Sequence, residues 1–497
     1  MVTQFLCHFA SASAALVAVV LLAEPLRAGP QATELHAEYR RLSEQFAVAA
    51  PGWRPEAPTT GSLLFVAQNQ YTVAGQHGDP LREARNEYAD QLFDLAKRAA
   101  DAGQLSLAFQ WATETVRENP DHADARRVLG YEQRAGAWLT SYGLRMADAG
   151  KTWHAKFGWI DAADAARYNA GERLVGGRWL SAADDAARRR DMKHGWQVRT
   201  DHFAVTTNHS LEAAAELAAR LERLHQVWRQ LFAGFYLSER EVRELFAGRR
   251  QPRKRSRPFR VYYHRDSEQY AAELRRRQPR IAETLGIYFD DRREAHFFAD
   301  DVAAGGQPAV DSTGGPPVAT DQGEPPVATA TSGPPLPTLY HEAVHQLFQE
   351  SRPAARRIGN DANFWIIEGV ATYFETLSEH ADPQAGLYFT VGQATAGRLP
   401  AARERLLDGF YVPLAELVRM GKSDIQQHPE IAKLYSESAG LSAFLMDAQQ
   451  GRYREPLVRY LKAVYAGRDD EQSLADAASA SYHELDAHYR RYIESLP

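Results

Sequence analysis

Cysteine is almost absent from this sequence. The 497 residues include one cysteine, Cys7, which lies inside a predicted export signal and has no small-residue lipobox before it. We therefore expect no lipid on Cys7 and no cysteine in the mature chain. This absence excludes disulfides, thiolate zinc ligands and a cysteine nucleophile. The stability of the mature protein must then come from its packed core and from any bound metal.

A strong charge imbalance and a long apolar run are absent as well. The formal net charge of −6 is small for this length and gives no support for nucleic-acid binding. The apolar run at 10–23 suits a signal peptide but is shorter than the roughly 20 residues of a membrane-spanning helix. We predict cleavage after Ala28, export to the periplasm or the extracellular space, and no stable membrane span. An uncleaved anchor is the alternative, because the n-region lacks Lys and Arg.

The remaining composition is that of an ordinary globular protein, with 44% hydrophobic and 25% charged residues. Strand patterns are concentrated in the middle of the chain, at 196–207, 259–264, 287–289 and 296–298. The pattern predicts an α+β fold that is mostly helical. The predicted organisation is a signal peptide (1–28), a helical N-terminal region (29–195), an α/β subdomain (196–302), a low-complexity loop (303–336) and a helical subdomain with the candidate zinc site (337–497).

Two features of the N-terminal region have alternative interpretations. The segment 85–127 has the spacing of one tetratricopeptide-like hairpin, which would form either a groove for a protein partner or an ordinary packed helical pair. We prefer the ordinary pair, because a solenoid needs about three such units. Four tryptophans with glycines nearby are interpreted as core anchors, with a carbohydrate-binding platform as the alternative. They are Trp138, Trp153, Trp159 and Trp179.

Two further segments are interpreted as surface loops. The segment 303–335 is rich in Gly, Pro, Ser, Thr and Ala, so it cannot form a core. We interpret it as a surface insertion, and a lid over the helix that follows is the alternative. The basic stretch 249–257 is interpreted as a solvated loop and not as a nucleic-acid contact, because it has no interleaved aromatics.

The candidate chemistry is concentrated at 339–348. There His341, Glu342 and His345 form the pattern H-E-x-x-H. On an α-helix, residues four apart lie about 40° apart around the axis and one turn above each other. Both imidazoles can therefore bind one metal ion from the same face. Glu342 projects beside them, where a water molecule on the metal would be activated.

A catalytic zinc site usually takes three protein ligands, so a third should lie on a neighbouring rigid element. The segment 365–375 supplies it, because its apolar positions repeat as on a buried helix face. These positions are Ile367, Val370, Ala371 and Phe374. Glu368 lies off this face, and Gly369 is small enough to let two helices approach closely. The short connection at 351–364 would make the two helices neighbours.

At these residues the chain resembles the gluzincins, zinc peptidases with H-E-x-x-H on one helix and a glutamate ligand on the next. The segment W-I-I-E-G-V-A-T-Y-F is similar to the W-x-x-E-G-x-A-x-Y helix of the peptidase MA-like branch. The chain looks most like a bacterial family of exported proteins of unknown function with this site, and the resemblance covers roughly 260–445. It implies Zn²⁺ as cofactor, with the ligands His341, His345 and Glu368 and with Glu342 as general base.

The resemblance has one departure and two further implications. Glu368 follows His345 by 23 positions, a few more than in thermolysin-like enzymes, and an inserted loop at 354–360 accounts for this. In gluzincins an edge strand pairs with extended peptide, and the resemblance implies that 296–298 does so here. Tyr435 lies in a segment similar to the Y-x-x-S-x-x-L helix of peptidase MA-like proteins. Its hydroxyl is a candidate donor to the developing oxyanion, with a packing role as the alternative.

One more side chain is a candidate on geometric grounds. Glu375 lies seven residues after Glu368 on the same helix face. It either accepts the free N–H of a ligand histidine or remains a solvated glutamate.

The preferred hypothesis is an exported zinc-dependent metallopeptidase with a peptide or protein substrate. The absence of the amine-anchoring motif G-x-M-E-N favours an endopeptidase. The alternative from another class is an envelope scaffold or binding protein. Its helical N-terminal region would recruit a protein partner, and its zinc site would be structural or vestigial. Hydrolysis of a non-peptide amide uses the same chemistry and stays open.

Overall fold

A computed structural model describes residues 28–53, 55–67, 80–249, 257–299, 334–383 and 386–497. The predicted signal peptide, the basic stretch and the low-complexity loop lie almost entirely outside these residues. Within them the fold is α+β and mostly helical, as predicted. No helix in these ranges combines the length and the apolar character that crossing a membrane requires.

Four helices and one strand open the described chain. They are α1 (Ala28–Ala49), β1 (Ser62–Phe65), α2 (Pro80–Asp101), α3 (Leu105–Glu118) and α4 (Ala123–Val128). α2 and α3 form a helical hairpin, and α1 packs against α2. The apolar positions of the tetratricopeptide-like spacing are at most 2% exposed in this hairpin: Leu92, Leu95, Ala96, Ala99 and Ala108. Both interpretations of this hairpin require these positions to be buried, so the burial does not decide between a partner groove and an ordinary packed pair.

Three β-hairpins, each followed by a short helix, come next. They comprise β2 (Tyr131–Arg134), β3 (Ala137–Thr140), α5 (Ser141–Asp148), β4 (Lys151–His154), β5 (Gly158–Asp161), α6 (Ala165–Asn169), β6 (Glu172–Val175), β7 (Arg178–Ser181) and α7 (Ala182–Arg188). The prediction of a helical region at 29–195 therefore needs correction. Strands of four residues are too short to show the alternation that identifies a strand in a sequence.

The three hairpins are copies of one unit. A glycine with positive φ precedes each of them, at Gly130, Gly150 and Gly171. A tryptophan occupies the second position of the second strand in each unit, at Trp138, Trp159 and Trp179. Aromatic contacts join one unit to the next: Tyr142 of α5 lies 6.1 Å from Trp159, and Tyr168 of α6 lies 5.7 Å from Trp179, between ring centres. Trp138 is buried, whereas Trp153, Trp159 and Trp179 are half-buried. The interpretation of all four tryptophans as core anchors is therefore correct for Trp138 only.

A five-stranded sheet with its helices follows. The elements are β8 (Trp196–Arg199), β9 (Phe203–Thr207), α8 (Leu211–Leu231), α9 (Ala233–Tyr236), α10 (Glu239–Phe246), β10 (Phe259–His264), α11 (Ser267–Leu274), β11 (Gly286–Phe289) and β12 (Glu294–Phe298). The strand order is β11-β12-β10-β9-β8. The three central strands are parallel, and the two outer strands are antiparallel to them.

Two sequence predictions are wrong in this sheet. The strand expected at 196–207 is a hairpin, because the chain reverses between β8 and β9. The strand expected to form the edge, 296–298, lies inside the sheet as β12, between β10 and β11. The edge on that side is β11. β11 and β12 are short and follow each other in the chain. The sequence therefore does not indicate which of them pairs with β10.

The C-terminal part is built mainly from helices. Its elements are α12 (Leu336–Glu350), α13 (Phe364–Phe374), β13 (Ser378–Asp382), β14 (Gly386–Val391), α14 (Leu399–Leu407), α15 (Leu414–Leu417), α16 (Lys422–Gln426), α17 (Ile431–Gly451), α18 (Arg454–Tyr465), α19 (Ser473–Ala478) and α20 (Tyr482–Glu494). The all-helical prediction for 337–497 missed β13 and β14. β14 pairs with β1, so the N-terminal region and the C-terminal part share one sheet.

α13 lies in close contact with α17 at a glycine. A Cβ added to Gly369 would come 2.7 Å from the carbonyl oxygen of Ser438 and closer still to the Ser442 hydroxyl. Real Cβ atoms do not approach a backbone oxygen so closely, so the absent side chain sets the distance between these helices. The predicted close approach at Gly369 is confirmed, and its partner is α17.

We predict that Gly369→Ala will destabilise the protein by about 1–3 kcal/mol, the usual effect of overpacking a core. The free energy of unfolding can be measured by denaturant titration. Gly143→Ala is the matched control, because a Cβ at helical Gly143 would meet its neighbours at ordinary distances of 3.4–3.6 Å. Equal stability of the two variants would contradict the packing account.

Candidate metal centre

α12 presents both predicted histidines on one face. Its apolar face is fully buried in the main core through Leu339, Val344 and Leu347. The opposite face carries His341 and Glu342, which are only 5% and 8% exposed, and the half-buried His345. Residues 341 and 345 are one turn apart, as the helical prediction required.

The start of α13 is held by several contacts at Asn363. This residue has a left-handed backbone conformation (φ 58°), which asparagine tolerates better than most residues. Its N–H donates to the Val418 carbonyl at 2.9 Å, its side-chain amide donates to Asp469, and its side-chain oxygen accepts a hydrogen bond from Tyr460. These contacts fix the direction of α13 and thereby the position of Glu368.

The three predicted ligands converge. The Nε2 atoms of His341 and His345 are 3.1 Å apart. Oε2 of Glu368 lies 3.5 Å from the first of these atoms and 3.8 Å from the second. Two ligand atoms on a tetrahedral zinc ion with bonds of 2.0–2.1 Å lie about 3.3 Å apart. The donor set and its spacing therefore fit zinc with little rearrangement.

The electrostatics of the three groups are strongly coupled. Burial raises the pKa of Glu368, but the charge on His345 and the hydrogen bonds from both imidazoles outweigh burial and hold that pKa well below its usual range. Burial lowers the pKa of His341, yet hydrogen bonds to Glu368 and Glu375 raise it well above its usual value. The cluster therefore favours an ionised Glu368 next to a positive charge. A bound cation would supply that positive charge in place of a protonated imidazole.

Glu375 contacts His341 on the side of the ring that faces away from the cluster. Its Oε1 lies 2.8 Å from Nδ1 of His341, so the Nε2 of that ring faces the cluster. The other carboxylate oxygen accepts a hydrogen bond from Nε of Arg398 at 3.4 Å. The contact predicted between Glu375 and a ligand histidine is therefore present. Arg398, on the loop before α14, was not identified from the sequence.

Glu342 is oriented by the edge of the sheet. The backbone N–H of Tyr288 in β11 donates to Oε2 of Glu342 at 2.8 Å. Burial raises the pKa of Glu342 above its usual value, while the charges on His341 and His345 lower it. No sequence signal pointed to Tyr288, because its contribution is a main-chain group and any residue type could supply it.

Two tyrosines pack against neighbours of the cluster. Tyr435 of α17 is buried, and the guanidinium of Arg398 lies 5.6 Å from its ring centre. Tyr465 of α18 packs its ring 5.4 Å from Phe348 of α12. Burial raises the pKa of Tyr465, and the charge on Glu368 raises it further. Tyr465 escaped the sequence analysis because it belongs to no recognisable motif.

A separate cleft of about 700 Å³ lies between α3, α9, α10 and α18. Its lining includes Gly234, Glu455 and Lys462, and none of the candidate metal ligands among the described residues borders it. The donor geometry, and not the volume of a cavity, identifies the candidate centre.

No family model matches this chain, and no curated protein is significantly similar to it. The assignment of the centre therefore depends on its own residues.

We predict that Glu375→Gln will weaken zinc binding about 10–100-fold, because the ligand histidine loses its charged acceptor. Competition with a chelator of known affinity measures the zinc Kd. Glu379→Gln is the control. Glu379 lies on β13, outside the cluster, and its carboxylate pairs with Arg223 at 3.2 Å. The same Kd in both variants would show that Glu375 does not support the ligand.

Proposed function

We propose that the protein is an exported zinc-dependent metallopeptidase of the gluzincin type. The observation that carries this proposal is the convergence of His341, His345 and Glu368 beside the Glu342 carboxylate. Two imidazoles and one carboxylate form the ligand set of a catalytic zinc ion, and the acid next to them has the position of a general base.

The number of donors supports catalysis over a structural role. Structural zinc sites are almost always closed by four protein ligands, whereas catalytic sites use three and leave one position for water. In the part of the chain that the structure describes, this cluster contains three donors. Glu342 is directed to the backbone of β11 and adds no fourth ligand.

Each residue has a distinct part in the proposed hydrolysis. Zinc held by the three ligands would lower the pKa of a water molecule towards about 7. Glu342 would accept a proton from the water that attacks the peptide carbonyl carbon and would deliver it to the amine nitrogen as the C–N bond breaks. The N–H of Tyr288 keeps the carboxylate of Glu342 pointed in one direction during both transfers. Glu375 and Arg398 hold His341 in the orientation that ligation needs.

The edge of the sheet supports an extended peptide as substrate. β11 is the outermost described strand on the side of α12, and it is antiparallel to its neighbour. In an antiparallel pair, alternate residues direct their main-chain groups away from the partner strand. The N–H of Tyr288 points away from β12 and towards Glu342. A peptide that paired with β11 would therefore pass the general base. Pairing along a strand suits the interior of a peptide and supports endopeptidase action.

Export and a protein partner for the N-terminal region remain part of the proposal. The predicted signal peptide lies almost entirely outside the described residues. A protein partner would be sought on the N-terminal region as a whole.

We predict that Glu342→Gln will retain zinc and lower peptide turnover about 10²–10⁴-fold, because the proton acceptor is lost while all ligands remain. Zinc content by mass spectrometry and turnover on a broad peptide library are measured on the same preparations. Glu368→Ala should lose both zinc and turnover. The exposed Glu416 of α15 provides the control, Glu416→Gln, which should match the unmodified protein.

Full peptidase activity in Glu342→Gln would reject the mechanism. A protein that binds zinc through Glu368 but cleaves no peptide would support the alternative of an envelope scaffold with a structural site. Cleavage of a non-peptide amide alone would keep the chemistry and change the substrate class.

We predict that Tyr435→Phe will lower kcat about 10²–10³-fold with little change in KM, as expected when an oxyanion donor is removed. Steady-state kinetics on a cleaved peptide provide the measurement. Tyr465→Phe is the comparison, because Tyr465 also packs against a neighbour of the cluster. A loss of kcat confined to Tyr465→Phe would assign the donor role to α18, and unchanged kcat in both variants would leave neither tyrosine in that role.

A further inference from the structure

A second cluster of metal-binding side chains lies beside the five-stranded sheet. His202, Glu222 and His225 each offer a ligand atom, and these atoms all lie within 4.8 Å of one another. Glu222 and His225 are three positions apart on α8, so they project from the same face of that helix. His202 comes from the turn between β8 and β9. The cluster therefore joins a turn of the sheet to the helix that covers it.

The backbone of His202 is held on both sides. Its N–H donates to Oε1 of Glu222 at 2.7 Å, and its carbonyl accepts the N–H of Phe259 at 2.7 Å. Nδ1 of its ring lies 2.7 Å from Oε2 of Glu222. The imidazole of His202 is thus oriented against the helix before any ligand binds, which reduces the entropy lost on binding.

His225 has an unmet bonding requirement. It is only 5% exposed, and its Nδ1 is buried without a hydrogen-bond partner among the described residues. Its ring lies 3.7 Å from that of His202, with 29° between the planes. Buried polar atoms are nearly always bonded, and an exception calls for a specific cause, of which a bound ion is one.

We propose that His202, Glu222 and His225 form a second divalent-metal site, of the kind that binds zinc, with three protein ligands and the remaining position left to water, at the point where the β8–β9 turn meets α8. Two imidazoles and a carboxylate are donors that zinc prefers. Ligands of one tetrahedral zinc ion lie about 3.3 Å apart, so the pair of His202 and Glu222 opens slightly and the stacked rings turn. The ion would replace the proton that Nδ1 of His202 and Oε2 of Glu222 share, and that proton would pass to solvent.

Neighbouring charges of both signs act on the cluster. Burial raises the pKa of Asp201, which precedes His202 in the same turn, and the charge on Glu222 raises it further, so a cation here would relieve the repulsion between the two carboxylates. Burial and the charges on His202 and Arg229 lower the pKa of His225. Arg229 donates from Nε to the hydroxyl of Tyr236 at 3.1 Å, and its charge opposes a cation at the cluster.

The test is a count of bound metal. The full chain is stripped with a chelator, dialysed against Zn²⁺ and analysed by mass spectrometry, with Co²⁺ absorption as a second readout. We expect two equivalents in the unmodified chain, one in Glu368→Ala, one in Glu222→Gln and none in the double variant. His202→Ala should also lose one equivalent. In Glu368→Ala, added Zn²⁺ should raise the unfolding temperature, and it should no longer do so when His202→Ala is combined with Glu368→Ala.

His194→Ala is the matched control, because His194 is an exposed histidine paired with Asp191 at 2.8 Å. It should retain two equivalents. Glu222→Gln keeps the size of the side chain, and circular dichroism establishes that each variant is folded. If Glu222→Gln and His202→Ala both leave the count unchanged, the second site does not exist.

The result does not depend on the proposed peptidase centre. If that centre bound no metal, the unmodified chain would hold one equivalent that Glu368→Ala retains and Glu222→Gln loses. Failure of the second site gives the opposite pattern, in which Glu368→Ala alone removes metal.

Discussion

The structure depends on holding two imidazoles 3.1 Å apart with a carboxylate within 3.8 Å of both, in a largely buried position. Removing charged groups from water is strongly unfavourable unless they are paired. The surrounding residues supply that pairing: Glu375 accepts from His341, Arg398 donates to Glu375, and the edge strand donates to Glu342. The arrangement persists only if both helices are fixed rigidly.

The rest of the fold provides this rigidity. α12 is buried along its apolar face, and Gln346 in its middle donates to the carbonyl of Arg260 in β10. α13 is fixed at its start by Asn363 and along its length by the close contact of Gly369 with α17. β1 pairs with β14, so that the N-terminal region and the site-bearing helices form one connected structure. The two candidate metal clusters lie on different elements. One lies between α12 and α13, and the other lies between α8 and the β8–β9 turn.

The candidate site was predictable to the extent that it is local. The pair of His341 and His345 follows from one helical turn, and Glu375 follows Glu368 by two turns of the same helix. Helical periodicity therefore specified their relative positions without knowledge of the fold. The convergence of Glu368 on the imidazoles needed a second inference, that two helices joined by a short connection are neighbours. The structure confirms that inference through the contacts between α12 and α13.

The sequence by itself determined the mostly helical α+β class, the H-E-x-x-H pattern and the helices that carry the candidate ligands, because these are properties of short segments. Only the tertiary structure decided that β11 and not β12 forms the sheet edge, that Tyr288 orients Glu342, that Arg398 contacts Glu375 and that Tyr465 packs against α12. It also brought His202 from a turn to Glu222 and His225 on α8. Contacts between distant segments depend on strand order and helix packing, which arise from the burial of the whole core and leave no local pattern.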